Sequence, residues 1–197
     1  LGDRGENLSS VLQAICEEQQ QKQALLEWIR ELTPMDASDF EFVPDQTGKI
    51  LLTLVEENGS RTSAYSASDG TLRFLAIIAA LLGPKPAKFL FFEELENGLH
   101  PSRLHLLLRL MERKTSQGDI QIVNTTHSPQ FLRFLSTDAL QHASLTYRLA
   151  GTAEGRIKRI FDIPDAQRLI EEQDIANLHE SGWFEDVMFL DEAEVME

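Results

Sequence analysis

The stretch "FLFFEELENGLHP", residues 89–101, constrains the fold more than any other. Four apolar residues read as a buried strand, and Glu93 and Glu94 follow at once. Adjacent carboxylates at the mouth of a hydrophobic strand are costly to desolvate unless something there needs negative charge. A second apolar strand, residues 120–125, follows a helix over 101–114 that opens on Pro101, where a missing N–H does no harm. Continuously apolar strands alternating with helices imply a parallel sheet covered on both faces. The expected class is therefore α/β, with parallel core strands, helices and attached antiparallel hairpins.

Around this core the periodicity predicts a helix from a cap at Asn7 or Ser9 to about Leu32. Its apolar stripes, Leu8, Val11, Leu12 and Ile15, then Leu25, Leu26, Ile29 and Leu32, flank the polar run "EEQQQKQ". Short strands are expected over 40–43, 49–56 and 61–65, joined by "DQTGK" and "ENGS", the second a hairpin turn. A capped apolar helix over 68–82 ends at "GPKP", and a strand follows over 88–92. Beyond residue 125 the pattern predicts a short helix over 128–135 and a strand pair, 143–150 and 156–161, across "GTAEG".

Composition narrows the function. Hydrophobic residues make up 42% of 197, enough for a packed core. Cys16 is the single cysteine, so no disulfide forms within the chain and a reducing, cytoplasmic setting is expected. The longest apolar run, "FLAIIAALLG" from Phe74, is too short for a bilayer, which takes ~20 residues. Net charge is −14, and the stretch after Arg168 holds ten acids and no Lys or Arg. That distribution suits a solvated acidic surface or a partner-binding tail. Broad phosphate-backbone binding by these residues is not favoured, because it needs clustered cations; DNA stays open as a partner, through a surface outside them.

Three motifs carry chemistry. In "SASDGTLRFLAIIAALL", Ser68, Asp69 and Gly70 open a long apolar helix. Unpaired N–H groups and the positive dipole end there attract phosphate, although Ser and Asp are also ordinary caps. In the second motif, Glu93 and Glu94 at a strand end match the Walker B arrangement, in which one acid helps hold Mg²⁺ and the next activates water. In the third, "IQIVNTTHSPQFL", His127 lies just past a strand end, where it can hydrogen-bond a phosphate oxygen or water.

In their order, these motifs resemble the ATP-binding-cassette class of P-loop ATPases. Within it they resemble the stand-alone bacterial predicted ATPases related to recombination and chromosome-maintenance heads. "SASDGTLR" resembles the signature loop, "FLFFEELENGLHP" the Walker B and D-loop, and "TTHSP" the switch histidine. "RGENLSSVL" and "SGWFEDV" are in the same style. The resemblance implies Glu93 beside Mg²⁺, Glu94 as catalytic base and His127 as γ-phosphate sensor. It implies Ser68 and Gly70, with Asp69 between them, at the γ-phosphate of ATP on an opposite head, and Glu96, Asn97 and Gly98 in a dimer-facing loop. Glu93 departs from the Asp of many relatives by one methylene, and Asp69 replaces a common Gly. For Arg73, positioning of the signature helix and plain solvation both stay open.

A P-loop reads G-x-x-x-x-G-K-[ST] after a strand. The nearest stretch, "VPDQTGKI", has Val43 for the first Gly and Ile50 for Ser or Thr, and reads as a hairpin turn. The chain is thus expected to be the C-terminal half of an ATPase head, a single partial domain. Its parts would be a helix with hairpin strands (1–66), a motif core (67–136), and terminal strands with an acidic tail (137–197). The cradle would come from upstream or from another polypeptide. Alone the chain should be inactive and marginally stable, with an exposed sheet edge. The complete protein should hydrolyse ATP with Mg²⁺ as a homodimer of heads. The alternative is a non-hydrolytic ATP-gated clamp or regulatory domain. An appended nuclease is disfavoured, with 70 residues after His127 and no Asp-x-Asp pair among them.

Overall fold

The computed structural model describes residues 1–2, 5–83, 86–148 and 154–188. Contacts divide the chain into two compact units, Leu1–Thr125 and Thr126–Glu197. The division falls inside the 67–136 stretch expected to form one motif core.

In the first unit, α1 (Leu8–Cys16) and α2 (Gln19–Leu32) replace the single helix expected over 7–32. Glu18 adopts extended backbone at the break, and its carboxylate accepts the Gln21 amide at 2.6 Å. The polar run offers no apolar stripe to hold one axis, so each stripe packs separately. Leu12 and Ile15 are buried from α1, and Leu25, Leu26 and Ile29 from α2. Asn7 makes no side-chain cap; its Oδ1 accepts the Gly2 N–H at 2.7 Å.

Strands β1 (Ala37–Pro44), β2 (Ile50–Glu56) and β3 (Arg61–Ser63) form an antiparallel sheet in that order. Phe40 pairs with Leu54 and Phe42 with Leu52, which sets the buried face. Between β1 and β2, Asp45 Oδ1 accepts the Thr47 N–H and hydroxyl and the Lys49 N–H, and Gly48 turns at φ 82°. "VPDQTGKI" is therefore a hairpin and not a phosphate cradle. A 3-10 turn at Ala64–Ser66 shortens β3 and leads into α3 (Asp69–Leu82). That helix packs on α1 and α2 and buries Phe74, Leu75, Ile77, Ile78, Ala79 and Leu81. Each larger side chain among them contributes ~1.5–3 kcal/mol.

Strands β4 (Phe89–Glu93) and β5 (Gln121–Thr125) pair in parallel, joined through α4 (Pro101–Ser116). The expectation that both sheet faces are covered is corrected here. Phe89, Phe91 and Val123 are 56%, 52% and 44% exposed, while Leu90, Phe92 and Ile122 turn inward. A continuous apolar run signals a strand suited to burial on two sides, and the described residues cover one side only.

The second unit comprises α5 (Pro129–Arg133), α6 (Thr137–Gln141), β6 (Ser144–Arg148), β7 (Gly155–Arg159), α7 (Ala166–Glu172) and α8 (Ile175–Glu180). β6 and β7 form the expected antiparallel pair. Helices α6, α7 and α8 were not anticipated in a stretch read as strands and acidic tail. They hold their own core, in which Leu140, Ile160, Ile163, Ala166, Ile175, Leu178, Phe184 and Met188 are buried. Arg133 on α5 pairs with Asp174, the cap of α8, at 3.2 Å. No helix among the described residues is long and apolar enough to cross a membrane. Pro84 and Lys85 of "GPKP", residues 149–153 between β6 and β7, and residues 189–197 of the acidic tail lie outside the described residues.

Candidate functional site

Helix α3 starts as the sequence suggests. Ser68 Oγ accepts the Thr71 N–H at 3.2 Å and meets the Thr71 hydroxyl at 2.9 Å. Asp69 in the first turn suits the positive dipole end. Gly70 follows, and its neighbour is backbone rather than side chain. A Cβ on Gly70 would run into the carbonyl of Gly98, and one on Gly98 would lie 2.9 Å from the Gly70 Cα. Real Cβ atoms do not approach backbone that closely. Glycine is thus required at both positions to let the start of α3 meet the turn after β4.

That turn carries the acids. Glu93 ends β4 opposite Thr125, on the same exposed face as Phe89 and Phe91. Glu94 leaves the strand in the left-handed region at φ 47°, which costs a non-glycine residue ~1–2 kcal/mol. The surroundings hold it there. Its N–H donates to the Thr125 carbonyl at 2.9 Å, and its carbonyl accepts the Asn97 N–H at 3.0 Å. The next residue, Leu95, is fully buried and anchors the turn.

Two side chains complete the arrangement. The Arg73 guanidinium, one turn into α3, donates to the carbonyls of Glu93 and of Glu94, the latter at 3.0 Å. This resolves the open reading of Arg73: it ties the helix to the main chain of both acids. The Asn97 amide donates to Glu94 Oε2 and so fixes one carboxylate oxygen. Neither contact is visible as a motif, because each depends on the path of the turn. Asn124, opposite Phe92 on β5, was also passed over. Its Nδ2 donates to the Thr125 carbonyl at 3.0 Å, while its Oδ1 is buried without a hydrogen-bond partner. The available signal was an amide inside the apolar run "IQIVN".

The first unit thus brings Ser68, Asp69 and Gly70 to the turn that holds Glu93, Glu94, Glu96, Asn97 and Gly98. His127 belongs to the second unit, two residues beyond β5, and is exposed. The adjacent Ser128 caps α5 by accepting the Phe131 N–H. Among the described residues no three His, Cys, Asp or Glu gather to hold a metal. The pair offered by Glu93 and Glu94 is all carboxylate oxygen. That donor set fits Mg²⁺, which takes one or two carboxylates, keeps several waters and completes its shell with phosphate.

Residues 12–133 match the family model described as "AAA domain, putative AbiEii toxin, Type IV TA system". The chain belongs to this AAA-domain family. The match covers α3, the acid turn and His127 alike. Over 70 residues the AAA-domain chain is 37% identical to an "ATP/GTP phosphatase" of Helicobacter pylori (strain ATCC 700392 / 26695), covering 34% of this chain and 19% of that relative.

Solved structures share the fold. The Smc head domain with a coiled coil and joint from Pyrococcus yayanosii superposes with TM-score 0.54 at 15% identity, over 82% of this chain and 29% of that one. A structure described under ATP-driven dimerization and DNA stimulated activation of SMC ATPases gives 0.52 at 14%, over 82% of this chain and 91% of that one. The Pyrococcus furiosus Smc head bound to the C-terminal domain of ScpA gives 0.51 at 16%, over 81% and 37%. The AAA-domain chain therefore has the P-loop NTPase fold of ABC-type ATPase heads, mixed α/β as expected. It spans about a fifth of the Helicobacter relative and about a third of two of the three Smc head chains.

Proposed function

We propose that the chain supplies the signature, Walker B and switch-histidine portion of a head that binds and hydrolyses ATP between two copies. In this reading residues 1–197 are part of one cytoplasmic ATPase domain, and the P-loop lies on a segment outside them. The observation that carries the reading is the clamp at the acid turn. Arg73 and the Gly70–Gly98 contact join the start of α3 to the main chain of Glu93 and Glu94. A helix start suited to phosphate and two acids suited to metal and water thereby form one local assembly.

Bound Mg²⁺–ATP would supply the electrophilic phosphorus and the positive charge that offsets the triphosphate. Glu93 holds the metal-side position at the end of β4. Glu94 takes the proton of the attacking water, with Asn97 fixing its Oε2. Ser68, Asp69 and Gly70 face the γ-phosphate on the opposite head through N–H groups at the start of α3. Glu96, Asn97 and Gly98 form the loop that meets that head, and His127 senses the γ-phosphate.

The test is Glu94→Gln in the complete protein. Steady-state ATP turnover should fall ~10²–10⁴-fold, the range for losing a general base. Binding of a non-hydrolysable nucleotide analogue should persist. Unchanged turnover removes Glu94 from the role. A native protein that binds ATP without turnover is instead a gated clamp.

A further inference from the structure

Asn124 breaks the pattern of its strand. It stands opposite Phe92 on β5, after Ile122 and Val123, where an apolar side chain would lose nothing on burial. Its Oδ1 is buried and finds no hydrogen-bond partner among the described residues. A buried acceptor left unmet costs stability, so burial alone gives no reason for an amide here. Sequences break such a local rule chiefly where function asks for it.

The other end of the amide shows what it secures. Asn124 Nδ2 donates to the Thr125 carbonyl at 3.0 Å, and the Glu94 N–H donates to the same oxygen at 2.9 Å. One carbonyl has lone pairs for both. Thr125 is the last residue of β5 and of the first unit, so the strand ladder ends beside the oxygen that anchors Glu94. Glu94 itself stands at φ 47°, a conformation that its surroundings must impose. Arg73 and the Asn97 N–H hold its carbonyl side. We propose that Asn124 is a positioning residue that holds the amino side. By fixing the Thr125 carbonyl it keeps the Glu94 main chain, and with it the carboxylate, in place. The hold on the main chain stands on these contacts alone; its effect on turnover rests on the role given to Glu94 above.

The experiment compares Asn124→Leu and Asn124→Asp with the native complete protein. The leucine variant orphans nothing, because the Thr125 carbonyl keeps the Glu94 N–H, and it removes the unmet Oδ1. The aspartate variant keeps the shape and lacks the N–H. In both, amide exchange at Glu94, resolved by fragmentation mass spectrometry, should quicken ~10-fold or more, while the other β4 and β5 amides keep their rates. In Asn124→Leu the melting temperature should hold or rise. Its kcat for ATP should nevertheless fall ~10–10²-fold at unchanged KM, the scale of a small misplacement. Unaltered Glu94 exchange in either variant overturns the proposal. Exchange that quickens along both strands, with a lower melting temperature in Asn124→Leu, also overturns it by making the amide a packing element. If exchange quickens at Glu94 alone and kcat holds, Glu94→Gln decides. Turnover lost in Glu94→Gln then overturns the proposal. Turnover kept there overturns the role of Glu94 instead, and the hold on its main chain stands supported.

Discussion

Replacing Gly98 with alanine tests whether the acid turn and α3 meet backbone to backbone. Two penalties add at that site. Gly98 sits at φ 78°, where a Cβ costs ~1–2 kcal/mol. The new methyl would also lie 2.9 Å from the Gly70 Cα, and overpacking of that kind costs ~1–3 kcal/mol. Gly118 supplies the control, with nearly the same φ, 80°, and nothing within 4 Å of a built Cβ. Gly118→Ala should therefore cost ~1–2 kcal/mol, and Gly98→Ala should exceed it by ~1–3 kcal/mol. The chain's two tryptophans, Trp28 on α2 and Trp183 in the second unit, allow unit-specific measurement. In a Trp183→Phe background, denaturant unfolding followed by Trp28 fluorescence reports the first unit. Equal losses for the two alanines would mean that Gly98 touches nothing, and the clamp would lose half its basis.

Other perturbations address the remaining contacts. Arg73→Gln removes a charged donor from two carbonyls and should cost ~1.5–3 kcal/mol by the same fluorescence assay. It should lower ATP turnover of the complete protein more than it lowers nucleotide affinity. Burial is the main influence that pushes the Cys16 thiol up to about 11; nearby Lys22 works against it and Asp39 adds to it. Alkylation by iodoacetamide should therefore rise ~10-fold per pH unit between pH 8 and 10, without the plateau of an ordinary thiol near 8.5. Partial burial pushes the Asp39 carboxyl up, but the Lys22 ammonium at 2.5 Å and the Phe40 N–H outweigh it and hold the group below its usual range. The unfolded chain then binds the proton more readily. The contribution is complete above pH ~5 and fades as pH falls through the folded value. Asp39→Asn should cost up to ~1 kcal/mol at pH 7 and less at pH 3, by denaturant titration at each pH.

Much of the first unit was legible because its signals are local. Ser68 before an apolar run specified α3, and four apolar residues before Glu93 specified β4. The break between α1 and α2 was not legible, because glutamate and glutamine favour helix and only the two separate buried stripes decide against one axis. The second unit's core was hidden by its own charge. Ile163, Ile175, Leu178, Phe184 and Met188 are spaced among acids, and the acids dominated the reading. At the site, residue types pointed to Glu93, Glu94 and Gly70. The link from Arg73 to the acids spans some twenty residues and depends on where a turn bends. No spacing rule encodes that.

The backbone of Glu94 has a consequence for variation at that position. Folding physics does not ask for a glutamate where φ is positive, since glycine or asparagine would rest there more easily. Exchanging it should relax the main chain while silencing whatever its carboxylate does. Damage at 94 would thus pass unnoticed in any screen that scores expression or melting, and surface only where turnover is measured.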